Sequence, residues 1–153
     1  MSSTFTIPLR LNTRQVINND GSVSLENTGA AMISQQSPIV AATTATDVLP
    51  AGSIIHSIDA YINVVGAGSR SVSLTSNGVT TTIGTLTTTA LGKATVAFTA
   101  SAAVANLLAN VGTYDVTITV ASEAASAGTL SIQYTGRNSD GTITPYGSGL
   151  TNS

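Results

Sequence analysis

The stretch Ser53–Val65, read as Ser-Ile-Ile-His-Ser-Ile-Asp-Ala-Tyr-Ile-Asn-Val-Val, decides the fold. Its even positions are Ile54, His56, Ile58, Ala60, Ile62 and Val64, while the odd ones include Ser57, Asp59 and Asn63. Successive side chains of a strand point to opposite faces, so alternation of this length predicts a strand with one buried face. Leu49-Pro50-Ala51-Gly52 reads as the turn that launches it, and Gly66-Ala67-Gly68 ends it.

Working outward, Asn77-Gly78 suits a two-residue type I′ hairpin turn, whose two central residues both need positive φ. That register places Ser76 opposite Val79, Leu74 opposite Thr81 and Val72 opposite Ile83, with the apolar residues on one face. Alternation returns over Lys93–Thr99 (Ala94, Val96 and Phe98 inward), over Thr113–Val120 and over Thr129–Tyr134. Towards the N-terminus, Thr4–Leu11 alternates through Phe5, Ile7, Leu9 and Leu11, and Pro8 marks it as an edge or an arm. Asn18–Gly21 reads as a turn, Val23 and Leu25 as the start of a short strand, and Ala31–Gln35 as a further strand. Gln36–Leu49 reads as a long connection with one extended segment. Ser101–Asn110 is the one helical candidate: Ser101 caps it, Val104, Leu107, Leu108 and Val111 fall at helical spacing, and Gly112 closes it.

About eight short strands separated by turn signals, with one short helix, predict an all-β antiparallel sandwich, jelly-roll-like, with an extended N-terminal arm. The expected division is an arm and first strands over 1–30, a β-sandwich over 31–136 and a Gly-, Ser- and Asn-rich tail over 137–153, one domain overall. No internal repeat is detected.

The composition agrees. At 153 residues and 42% hydrophobic content the chain can bury roughly 70% of its unfolded surface in one core. Only 8% of residues are charged, and the net charge is −2. The polar surface is carried instead by 25 threonines and 19 serines. Such a surface offers no electrostatic footprint for nucleic acid or anionic lipid. The absence of Cys and the single His exclude disulfide scaffolds, thiolate sites and multi-histidine centres. Ala94–Val111 is uncharged, but its Thr, Ser and Asn residues argue against a membrane span and for a strand followed by a short helix. No basic segment followed by an apolar run opens the chain, so the expectation is a protein made without a signal peptide.

No chemistry-bearing constellation emerges. His56 lies on the apolar face of the long strand and, lacking a second His or Cys, reads as a core or interface histidine bonded to backbone. Asn18–Gly21 and Asn138–Gly141 lack the following carboxylate of a calcium loop and read as turns. Lys93 reads as a solvated charge. Tyr61, Tyr134 and Tyr146 are scattered and read as core and interface packing residues rather than a carbohydrate platform. No serine stands in a nucleophile-elbow motif and no phosphate loop is present. The chain is therefore expected to be non-enzymatic, without cofactor or metal.

A neutral, hydroxyl-rich sheet surface is suited to burial against copies or partners, because interface centres are depleted in charge. Arg10, Arg14, Arg70 and Arg137 are the groups able to pair with a partner's carboxylates. With the apolar side chains of the arm, they assign partner contact to Phe5, Ile7, Leu9, Arg10 and Arg14.

The segments Val48-Leu49-Pro50-Ala51-Gly52-Ser53-Ile54-Ile55-His56-Ser57-Ile58 and Ala127-Gly128-Thr129-Leu130-Ser131-Ile132-Gln133-Tyr134 resemble segments of small all-β virion proteins of tailed bacteriophages. The resemblance covers about half the chain and implies a structural virion role. The implied function is a capsid decoration (cement) protein that binds the outer surface of a phage head and stabilises it. The implied partners are the major capsid protein or another virion protein and further copies of this chain, as a homotrimer ahead of a homodimer. The alternatives are a tail or head fibre component and a secreted bacterial adhesin or pilin-like β-sandwich module. A carbohydrate-binding module or hydrolase ranks behind these.

Overall fold

A computed structural model describes residues 13–17, 19–27, 32–109 and 114–136. The chain forms two compact units, Met1–Ala31 with Ile143–Ser153, and Met32–Thr142.

In the first unit, β1 (Thr13–Ile17) pairs antiparallel with β2 (Val23–Asn27), Ile17 opposite Val23 and Arg14 opposite Glu26. The turn between them is held by Asp20, whose carboxylate accepts the backbone N–H of Ser22 at 2.9 Å and its hydroxyl at 2.6 Å. Those bonds hold the Asp20 carboxyl below its ordinary range. The expected turn and second strand are present, whereas β1 carried no signal in the sequence reading. Phe5, Ile7, Leu9 and Arg10 of the expected arm lie outside the described residues, as do Arg137 and the rest of the tail.

The second unit is an antiparallel sandwich. Its strands are β3 (Ile33–Ile39), β4 (Ala45–Leu49), β5 (Ile54–Val64), β6 (Ser69–Ser76), β7 (Val79–Thr87), β8 (Gly92–Thr95), β9 (Ala97–Phe98), β10 (Val116–Val120) and β11 (Ala127–Thr135). One sheet has the order β3-β11-β5-β8 and the other β4-β10-β6-β7-β9. The pairing is nested: the first strand lies beside the last, the second beside the next to last, and β6 and β7 form the innermost hairpin. Between the sheets lies an aliphatic core that includes Leu49, Ile58, Ile62, Leu74, Ile83, Leu86, Ile118 and Ile132, all nearly inaccessible to water. Each such side chain contributes about 1.5–3 kcal/mol by burial.

The hairpin has the expected turn. Asn77 and Gly78 take φ of 49° and 74°, and Ser76 faces Val79 and Leu74 faces Thr81. Beyond Ser73 a bulge intervenes, so Val72 faces Gly84 rather than Ile83. Ile83 and Leu86 are three residues apart, which period two cannot place on one face. The extra residue lets both enter the core.

A second bulge corrects the reading of the long strand. Gln133 faces Ser57, but Tyr134 faces Ile55, so His56 is the unmatched residue. Ile58, Ala60 and Ile62 point inward as expected, but ahead of the bulge Ile55 is buried and His56 is exposed. Its Nε2 lies 2.7 Å from the hydroxyl of Thr135, so its partner is a side chain and not backbone.

The segment expected as a long connection is largely strand. β3 runs through Pro38, which an edge strand tolerates because it needs hydrogen bonds along one side only. In β4 the inward residues are Ala45, Asp47 and Leu49, and the acid at the middle position masks the alternation. Asp47 is buried because it accepts hydrogen bonds from Gln35 (3.0 Å) and Ser37 (2.5 Å) of β3, tying the two sheets along this edge.

Along the opposite edge one run of chain serves both sheets. β8 pairs with β5, β9 pairs with β7, and the buried Val96 sits at the crossing, its N–H donating to Ile58. The helix α1 (Ala102–Ala109) follows, capped by the Ser101 hydroxyl at the N–H of Val104, 3.2 Å away. Val104 is buried, and Leu107 and Leu108 pack on the core. The uncharged stretch from Ala94 is thus strand, crossing and helix, and no described helix is long and apolar enough to cross a membrane.

Candidate functional site

The fold presents two outer sheet faces and one polar knot at an end of the sandwich.

The knot is built on Arg70 of β6, whose side chain is completely buried. Nε donates to the hydroxyl of Ser126 at 2.7 Å. Nη1 donates to the carbonyls of Thr43 (2.9 Å) and Ala121 (3.1 Å). Nη2 donates to those of Val40 (3.0 Å) and Ser126 (2.8 Å), with Glu123 at 3.4 Å. The five guanidinium N–H groups are therefore all satisfied, and the β3–β4 and β10–β11 loops close around one cation. Burial pulls the Arg70 pKa below its ordinary value, and the nearby Glu123 charge opposes that shift. Arg70 was expected to face a partner's carboxylates. Instead it is consumed inside the fold.

Glu123 completes the knot. It lies 4.0 Å from Arg70 Nε, receives the Thr88 hydroxyl at 2.5 Å and receives the Gly68 N–H at 2.9 Å. The hydroxyls of Ser126 and Thr88, with help from backbone N–H groups, hold its carboxyl down to about 2.

The outer face of the β4-β10-β6-β7-β9 sheet carries no charge. Its cross-strand rows, read from the register, are Val48-Thr117-Thr75-Thr80 and Thr46-Thr119-Ser73-Thr82, followed past the bulge by Ser71-Thr85-Ala97 and Ser69-Thr87. Thr75 and Thr80 share a hydrogen bond of 2.8 Å across the strands. The result is a carpet of methyl and hydroxyl groups, with Val48 57% exposed at its rim.

The outer face of the β3-β11-β5-β8 sheet differs. Tyr61 is 64% exposed, flanked across the strands by Thr129 and Lys93. Asp59 accepts the Thr95 hydroxyl at 2.6 Å and lies 3.9 Å from Lys93 Nζ, which is solvated as expected. A shallow depression of about 270 Å³ opens here, bounded by Gln36, Tyr61, Lys93 and Gln133 among others. A second depression of about 230 Å³ between Ser37 and Thr46 is lined by no ionisable side chain.

The tyrosines thus separate. Tyr134 is buried in the core, Tyr146 lies outside the described residues, and Tyr61 is exposed, so of the expected core and interface packing only the interface half fits Tyr61. Of the residues assigned to partner contact, Arg14 lies on β1 and the others lie outside the described residues. Among the described residues no three His, Cys, Asp or Glu side chains gather as a metal site would require. No protein family, no curated protein and no solved structure matches this chain.

Proposed function

We propose that this chain is a non-enzymatic structural protein of a virus particle, a capsid decoration protein that binds the outside of a phage head. The observation that carries this reading is the uncharged hydroxyl and methyl face of the β4-β10-β6-β7-β9 sheet. Covering a hydroxyl without a partner costs roughly 1–3 kcal/mol and a partner's polar group readily offsets it, whereas an unpaired charge taken out of water costs several kcal/mol. The fold supports the reading further by taking Arg70 and Asp47 inside, which removes charge from the surface. The nested strand order supports a jelly-roll reading of the sandwich, an architecture that recurs in capsid proteins.

The test is copy number in the purified particle encoded beside this gene. A simple stoichiometric ratio to the major shell protein, spread over the lattice, is the expected result. A handful of copies would move the protein to a tail or vertex fibre, and complete absence would overturn the virion reading in favour of a surface adhesin. Self-association is expected as a trimer, measured by light scattering of the isolated chain.

A further inference from the structure

We propose that the depression beside Tyr61 on the outer face of the β3-β11-β5-β8 sheet is a binding site for a neutral carbohydrate. The first reason is the aromatic ring. Tyr61 is 64% exposed in the middle of a sheet face, not at an edge, and a flat exposed ring is a platform for the apolar C–H face of a sugar.

The second reason is the hydrogen-bonding inventory around the ring. Gln36 on β3 and Gln133 on β11 bound the same depression, and neither side-chain amide has a hydrogen-bond partner among the described residues. Each offers a donor and an acceptor together, the complement of a sugar hydroxyl. Asp59 stands two residues from Tyr61 on the same face, fixed by the Thr95 hydroxyl at 2.6 Å, with acceptor capacity to spare. By register Gln36 lies level with Asp59 but two strands away, about 10 Å, and Gln133 lies level with Ser57, four residues or about 13 Å along from Tyr61, so the groups are spaced to meet successive rings of a chain and not one ring alone.

The third reason is charge. Asp59 and Lys93 lie 3.9 Å apart and cancel, so nothing in the depression selects an anion. A phosphorylated or nucleic-acid ligand needs a surplus of cations, which this face lacks. The volume, about 270 Å³, falls just below that of pockets for drug-sized ligands and takes one or two sugar rings of a longer chain.

The test is native electrophoresis through gels containing laminarin, galactomannan, xyloglucan or glycogen, with the intact chain. At least one polysaccharide is expected to retard it. Tyr61→Ala should weaken that retardation about tenfold and Tyr61→Phe should preserve it, since stacking uses the ring and not the hydroxyl. Gln36→Ala, at an exposed side chain, should also weaken it and stands in should Tyr61→Ala fail to fold. The proposal is overturned if none of the four polysaccharides retards the chain, or if Tyr61→Ala and Gln36→Ala migrate as the parent does. It is equally overturned if Tyr61→Ala alters only the oligomeric state in size-exclusion chromatography, which would make this face a contact between copies. These outcomes are independent of copy number in a particle.

Discussion

Arg70 donates through Nε to the hydroxyl of Ser126 at 2.7 Å, and both residues are completely buried. A cation at such a site is stable only because every N–H has an acceptor and a carboxylate stands nearby. Most of those acceptors are backbone carbonyls of two loops, so the guanidinium organises chain that has no regular structure of its own. Arg70→Met removes the donors and leaves the carbonyls and Glu123 uncompensated, so a loss of about 3–5 kcal/mol is expected. Arg70→Lys should rescue little, because an ammonium has three donors and no planar fork. Urea unfolding of both variants checks this, and a loss below about 1 kcal/mol for Arg70→Met would show that the knot is not a structural keystone.

Glu123 gives the knot a pH dependence of defined sign. Its folded pKa, about 2, lies below the ordinary value of 4.5. A depressed carboxylate contributes stability that is fully present above the unfolded value and is lost as pH falls through the folded one. Glu123→Gln removes the charge at every pH. The gap in melting temperature between parent and Glu123→Gln is therefore expected to stay constant above about pH 5. It should narrow between 4.5 and about 2. A gap that widens on acidification would reverse the assignment.

The Asn77-Gly78 turn makes a local prediction. Both residues have positive φ, which a β-carbon tolerates poorly and which glycine and asparagine adopt most readily. Gly78→Ala should cost about 1 kcal/mol, whereas Asn77→Gly should change stability by only a few tenths. Thermal unfolding of the two variants is sufficient to compare them.

This turn was legible in the sequence because its chemistry is local, and the same holds for the Ser101 cap and the alternation of β10 and β11. What could not be read depends on partners distant in the chain. The bulge at His56 is a property of the β5–β11 pair, and with Ile54 and Ile55 both apolar nothing local says which faces inward. Asp47 breaks the alternation of β4, and only Gln35 and Ser37 explain its burial. Arg70 resembles any surface arginine, because backbone carbonyls leave no signature in a sequence. Tyr61 shares the outward register of Ser57, Asp59 and Asn63, so its exposure is implicit in the alternation.

Gly128 and Gly68 provide a matched pair for the last prediction. Gly128 lies at the second register shift of the β5–β11 pair, where Ala127 faces Val64 but Gly128 faces Ile62. A β-carbon on Gly128 would collide with the carbonyl oxygen of Tyr61 and would lie 3.1 Å from the Cα of Ile62. Both obstacles are backbone of the central strand, which cannot rotate away. Gly128→Ala should therefore push β11 from β5, at about 1–3 kcal/mol for overpacking. A β-carbon on Gly68 would meet nothing within 4 Å, so Gly68→Ala should stay within about 0.5 kcal/mol of the parent. Because the Tyr61 backbone is the atom struck, Gly128→Ala should also perturb the outer face around that ring. Amide chemical shifts of Tyr61 and Lys93 are expected to move in Gly128→Ala and to stay in place in Gly68→Ala. Equal stability of the two variants would show that the strands separate at this point at little cost.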